Sequence, residues 1–232
     1  MIAAVSIVHN EEDIIGCTVR HLLSQGVDAV YIIDDHSTDG TRDLLKSIPR
    51  VFVFDRAADD VFEWVKMIPW IKELSHIAGN AGAEWVIPFD ADEYWSGTHG
   101  RTISKALSTC TAQKVIVPMT QYFDFDHKIS GDDPYTWTKV AYRYAPDVEV
   151  CVGNHYCTAP DPAEPDVLEL RELKFRGFDH FVAKRKHHET IPWEANRLQA
   201  GLVPMTMQEF FDQWEWAKAH RVYDPIPSEF RP

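Results

Sequence analysis

Apolar residues fall in short dense runs that stop at polar clusters. Ile2–Val8, Ala29–Asp34, Val51–Asp55, Trp85–Phe89 and Lys114–Pro118 read as strands. Between them the spacing changes. Ile14, Ile15, Val19, Leu22 and Leu23 recur at helical intervals, and Gly26 follows as a stop. This predicts a helix over Asp13–Gln25. Thr41–Ser47 reads as a second helix, with Ser37 or Asp39 as its N-cap. A third falls within Asp60–Ala78, where Phe62, Val65, Ile68, Ile71 and Leu74 keep a three-residue beat. Pro69 should kink that helix or start a new one. Alternating strands and helices imply an α/β chain with a mainly parallel sheet and right-handed crossovers.

The second half is less regular. Trp137–Tyr144 reads as a strand with Lys139 and Arg143 on one face, and Leu168–Phe175 as another. Gly153-Asn154-His155-Tyr156 reads as a turn carrying an exposed histidine. Asp179–His188 and Met207–His220 read as helices, the latter rich in Phe and Trp.

The polar clusters at the strand ends carry the chemistry. Trp85–Phe89 runs straight into Asp90, Asp92 and Glu93. Clustered carboxylates are tolerated when solvated, when protonated, or when a hard cation such as Mn²⁺ or Mg²⁺ neutralises them. On an extended backbone Asp90 and Asp92 share a face. Asp34-Asp35 also stands at a strand end, where open α/β sheets place their ligands.

These segments together resemble family-two glycosyltransferases, whose GT-A fold binds nucleotide-diphospho-sugars. The resemblance rests on the first strand ending in Asn10-Glu11-Glu12, the helix running to Gly26, the run Ile33 to Thr41, and Trp85–Trp95 with its Asp-Ala-Asp. It implies a GT-A-like chain over 1–232, with a nucleotide-sugar-binding half (1–118) and an acceptor-side half (119–232). It also implies donor contacts at Val8, Asn10, Glu11, Asp34, Asp35, Asp90, Ala91 and Asp92. In that family the second acid of the Asp-Asp pair, here Asp35, reads the nucleobase. Asp90 and Asp92 contact the ribose and a divalent metal that holds the diphosphate. A later His-x-x-x-Arg-Ser motif is matched in part by Arg176 through Phe181 and by Lys184, which implies diphosphate contacts. Glu172 stands at its His position, so Glu172, His155 or His180 completes the metal site. Inversion at the sugar needs a carboxylate base. Asp124, Asp126, Asp132 and Asp133 lie in the loop after the fifth strand, and Asp132 and Asp133, with Asp92, are the catalytic candidates.

Composition narrows the partners. A net charge of −13 argues against nucleic acid and against anionic lipid. No apolar run approaches 18 residues, so no membrane span is expected. The start at Met1 lacks the features of a signal peptide, so a cytoplasmic enzyme with Cys17, Cys110, Cys151 and Cys157 as thiols is expected. The expected partners are a nucleotide-diphospho-sugar and a glycan, lipid-linked or small-molecule acceptor. Two alternatives stand beside this. A sugar-1-phosphate nucleotidyltransferase shares the sheet type but needs a Gly-rich basic loop where Val8–Glu12 is acidic. A non-catalytic binder of nucleotide or glycan would keep the fold without turnover.

Overall fold

The structure, a computed structural model, describes residues 1–56, 66–130, 138–190, 206–226 and 231. Asp132, Asp133, Trp137, Phe62 and Val65 lie outside the described residues.

Four strands form the parallel part of the sheet: β1 (Ile2–Val8), β2 (Ala29–Asp34), β3 (Val51–Asp55) and β4 (Trp85–Pro88). Their order is β4-β1-β2-β3. Val8 pairs with Asp34, and Val5 with Pro88, so their carboxyl ends come together. β1, β2 and β4 are near-continuous apolar runs because both faces are covered, whereas β3 lies at the edge and leaves Phe52 exposed. In β1, Ile2, Ala4 and Val8 join one core with Val19 and Leu22 of α1 (Ile15–Ser24). Ala3 and Val5 join the opposite core with Ile71, Leu74 and Ala78 of α3 (Met67–Asn80). α2 (Thr41–Lys46) carries Leu45 into the first core.

The remaining strands continue the sheet and then fold away. β5 (Glu93–Gly97) follows the Asp-Ala-Asp turn, and the short helix α4 (Ile103–Leu107) leads to β6 (Lys114–Asp124). β7 (His127–Ile129) pairs antiparallel with β6, and β8 (Thr138–Arg143) lies antiparallel between β6 and β4. β9 (Ala163–Glu164) adds a short parallel pairing to β6. β10 (Leu168–Glu172) pairs antiparallel with β5 and parallel with β6, setting Glu172 beside both Glu93 and Gln121. α5 (Phe178–Thr190) and a C-terminal helix (Met207–Ala219) follow, with β11 (Arg221–Tyr223) on β7. Phe181, Trp214 and Ala217 join Phe123 and Phe175 in a third cluster that seats both helices on the sheet.

Several boundaries differ from expectation for local reasons. Pro69 is the third residue of α3, a first-turn position where its missing N–H costs no helical bond. α1 ends at Ser24, with Gly26 in the left-handed region (φ 87°) as a C-terminal stop requires. β6 runs six residues past Pro118 because β7 and β10 extend its pairing. β10 stops at Glu172, three residues short of Phe175. Neither Ser37 nor Asp39 caps α2, whose N-cap is Gly40. Ser37 Oγ accepts from Asn10 N, and Asp39 accepts from Thr41 N and Glu12 N. These side chains tie the loop after β1 to the loop after β2.

α1 also braces the turn after β4. Thr18 Oγ donates to Ala91 O at 2.6 Å, and Ser6 Oγ of β1 donates to Phe89 O at 2.7 Å. His21 Nε2 lies 2.7 Å from Trp95 O. A carbonyl only accepts, so Nε2 carries the proton. Burial, reinforced by Arg171, lowers the His21 imidazole to about 4, against the pull of that carbonyl. The unfolded chain therefore takes up a proton near pH 6.5 that the folded chain refuses until about 4. Stability is full above 6.5 and is lost as pH falls through that window, by up to about 3 kcal/mol from this residue. In urea melts between pH 7 and 4, His21→Gln, which keeps a donor for Trp95, should lose less stability on acidification than the wild type.

Candidate functional site

The carboxyl ends of β1, β2 and β4 open on a cleft of about 430 Å³. Val8, Asn10, Glu11, Asp35, Asp90, Ala91 and Asp92 line it from the sheet side. Glu172, Lys174, His180, Phe181, Lys184 and Phe210 line it from the second half. The loop geometry follows from β1. Asn10 takes positive φ (52°) and accepts from Thr38 N through Oδ1, while Glu11 N donates to Thr41 Oγ1. Asp35 N donates to Val8 O at 2.8 Å, which anchors Asp35 at the cleft. The Asp35 carboxylate pairs with Arg56, whose guanidinium lies 5.0 Å over the ring of Trp70 on α3.

Asp92 lies at the centre of a buried charge cluster. Arg176 Nη1 reaches its Oδ2 at 3.1 Å and Lys184 Nζ reaches the same oxygen at 3.3 Å. Arg176 also pairs with Glu11, and through Nε with Asp13 at 2.8 Å. Burial alone would raise the Asp92 carboxyl, but Lys184 and Arg176 outweigh it and hold it well below the usual range. For Glu11 the balance goes the other way: burial wins over the same two cations and its carboxyl is raised. His180, one helical turn before Lys184, is lowered to about 4 by burial and by Arg176 and Lys184, so it is neutral near pH 7.

Asp90 is the more open acid, and its Oδ2 lies 2.6 Å from Lys139 Nζ of β8. Lys139 also pairs with Glu93 Oε1 at 2.8 Å. The other Glu93 oxygen accepts from Asp90 N and Trp95 Nε1.

The structure redistributes some expected roles. Asp34 does not line the cleft; it is buried and pairs with Arg42 at 3.2 Å. Arg176 acts on the cleft by gripping its acids rather than by lining it. His155 is half-buried rather than exposed, with Nδ1 2.8 Å from Thr138 O, and it too lies off the cleft lining. Glu172 lines the cleft, but its Oε2 accepts from Gln121 Nε2 at 2.9 Å, and burial raises its carboxyl. Asp90, Asp92, Glu172 and His155 therefore do not gather into one cluster. Among the described residues no three His, Cys, Asp or Glu side chains converge closely enough to hold a metal by themselves. Asp124 accepts from His127 and Asp126 N in the turn between β6 and β7, and Asp126 pairs with Arg231.

Two contributors carry little signal in the sequence. Arg56 follows β3 directly and stands in no pattern. Lys139 reads as a strand-face residue, but not as the partner of Glu93. Its signal is a lone ammonium against Val140-Ala141-Tyr142.

The family model described as "Glycosyl transferase family 2" matches residues 4–158, well over half of the chain. The chain belongs to glycosyltransferase family 2. No curated protein matches it. Among solved structures it is similar to S. aureus TarS 1-349 in complex with UDP, at 17% identity and TM-score 0.43, over 62% of this chain and 47% of that one. TarS 1-349 without a stated ligand gives 13% identity and TM-score 0.46, over 94% and 73%. A nucleotidyl transferase from Methanothermobacter thermautotroptrophicus gives 13% and 0.36, over 62% and 71%. The chain thus spans about half the length of the first TarS structure. Among the described residues of this family-two chain, no helix is long and apolar enough to cross a membrane.

Arg176 is the element whose removal the cluster tolerates least. Arg176→Leu leaves Glu11 and Asp92 buried with only Lys184 to offset them. It should cost about 3–5 kcal/mol in a denaturant melt, the range for breaking a buried ion pair from one side.

Proposed function

We propose that this chain transfers a sugar from a nucleotide-diphospho-sugar to an acceptor hydroxyl, with inversion at the sugar carbon. The observation that carries the reading is the meeting of Asp35, Asp90, Asp92 and Lys184 in one cleft at the carboxyl ends of parallel strands. Family membership supports it. The acidic loop at Glu11-Glu12 disfavours the nucleotidyltransferase alternative, since a triphosphate seeks basic or Gly-rich backbone there.

Mn²⁺ or Mg²⁺ fits the donor set. The ion pairs on Asp90 and Asp92 engage Oδ2 of each, leaving Oδ1 of each outside those pairs. Hard oxygens of this kind, completed by two phosphate oxygens and water, suit either ion. Asp90 and Asp92 would hold it, with substrate and solvent in place of a further protein ligand, since Glu172 and His155 do not gather with them. The ion supplies positive charge to the departing diphosphate. Lys184 adds a protein charge on the same side, and Arg176 keeps Asp92 ionised and in place. Asp35 accepts a hydrogen bond from the nucleobase, and Val8, Asn10 and Ala91 shape the nucleotide floor. The base that takes the acceptor proton is assigned to Asp132 or Asp133. Residues 1–118 supply most of the donor contacts; 119–232 add Lys184 and Arg176 to them and otherwise serve the acceptor, which is a glycan, a lipid-linked sugar or a small molecule. A cytoplasmic setting suits four free cysteines.

A thermal-shift panel of UDP-, GDP-, CMP- and dTDP-sugars, with and without Mn²⁺, tests the reading. A cognate donor raises the melting temperature by binding the folded state alone. No shift with any of them would remove the donor site. Asp35→Ala should weaken binding of the nucleoside diphosphate about ten- to a hundredfold in calorimetry, the loss expected for one charge-assisted hydrogen bond.

A further inference from the structure

Lys139, the second residue of β8, is 2% exposed, with the exposed Thr138 before it and the buried run Val140-Ala141-Tyr142 after it. An ammonium there costs several kcal/mol unless it is paired. Its pairing is specific. Nζ lies 2.8 Å from Glu93 Oε1 and 2.6 Å from Asp90 Oδ2. Burial would lower its proton affinity, but Asp90 and Glu93 outweigh that and keep it charged. Glu93 is fully buried and ties the group together from behind, accepting from Asp90 N at 3.0 Å and from Trp95 Nε1 at 3.1 Å. One carboxylate thus fixes both the backbone of Asp90 and the cation that grips its side chain.

We propose that Lys139 is a resident cation of the donor site, holding Asp90 through Oδ2 so that only Oδ1 is offered to a ligand, with Glu93 as the positioning residue for both. The role rests on the donor-site reading above and adds to it a limit on Asp90, which binds through one oxygen. A divalent ion at this site then meets a carboxylate whose charge is already half claimed. By itself the site would hold such an ion weakly, and substrate phosphates would supply the missing negative charge. Asp92 differs, because its cations belong to the segment that follows β10, whereas Lys139 lies in the sheet beside β4.

The test replaces the buried pair together, as Lys139→Met with Glu93→Gln. This removes one positive and one negative charge, and the Gln oxygen still accepts from Asp90 N and Trp95 Nε1. Mn²⁺ binding is read from the free-ion electron paramagnetic resonance signal, with UDP, GDP or dTDP present. The double variant should bind Mn²⁺ roughly tenfold more tightly than the wild type, because Asp90 loses a competing ammonium and gains an oxygen for the ion. A purely structural role for Lys139 would leave Mn²⁺ binding unchanged or weaken it, and either result in a folded variant overturns the proposal. Circular dichroism establishes folding. If the double variant does not fold, a crystal structure of the wild type with UDP and Mn²⁺ decides. Asp90 should contact its ligand through Oδ1 alone, with Lys139 still on Oδ2; a bidentate Asp90 or a displaced Lys139 overturns the proposal. A wild type that binds no nucleotide, with or without Mn²⁺, removes the donor-site reading and this role with it. Nucleotide binding by the wild type together with an unaltered Mn²⁺ titration in the variant removes only the role of Lys139.

Discussion

The structure depends on the compensation of buried carboxylates by a few well-placed cations. Arg176 does most of this. Its guanidinium joins Glu11 from the loop after β1, Asp13 at the approach to α1, and Asp92 from the turn after β4. The acids come from two segments, the stretch between β1 and α1 and the turn after β4, and the buried pair Glu11 and Asp92 would repel one another in a dry site. One planar donor group with five N–H bonds serves all three at once in a fixed fork geometry. Lys184 and Lys139 complete the scheme from α5 and β8. The second half of the chain is thereby coupled to the first by charge as well as by the aromatic packing of Phe175, Phe181 and Trp214.

The four parallel strands were legible because each is a short apolar run, and such runs announce themselves; β5, Glu-Tyr-Trp-Ser-Gly, is not one and was missed, since it forms through its long-range pairing with β10. The Asp-Ala-Asp turn was legible for a related reason: acids that end an apolar strand must face something other than the core. The cleft lining at Val8, Asn10, Glu11 and Asp35 follows from the same logic. Asp34 illustrates the limit. It stands at a strand end beside Asp35, yet alternation turns it toward Arg42, and nothing local says which of two adjacent acids faces the ligand. The second half was read less well because its contacts are long-range. Glu172 meets Gln121 across β10 and β6, 51 positions apart. Lys139 meets Glu93 only because β8 returns antiparallel beside β4, a pairing invisible in any window of sequence.

The same pairing explains why a buried charged residue sits directly before the core run Val140-Ala141-Tyr142. Local preference disfavours Lys139 where it stands, and a local conflict of this sort is tolerated when a site needs it. The conflict is resolved by Glu93, itself an acid no apolar core would accept alone. Each of the two is costly by itself, and together they are an ordinary buried pair.

The bracing of the Asp-Ala-Asp turn by α1 makes one wall of the cleft rigid. Thr18 and His21 hold the carbonyls of Ala91 and Trp95, and Ser6 holds Phe89. The acids therefore cannot swing out without breaking buried hydrogen bonds to a helix packed on the sheet. The opposite wall, where α5 and the C-terminal helix meet the cleft through Phe181 and Phe210, is held by aromatic packing instead. The sheet-side wall of the cleft is thus a fixed jaw, set by hydrogen bonds that a change of cleft shape would have to break.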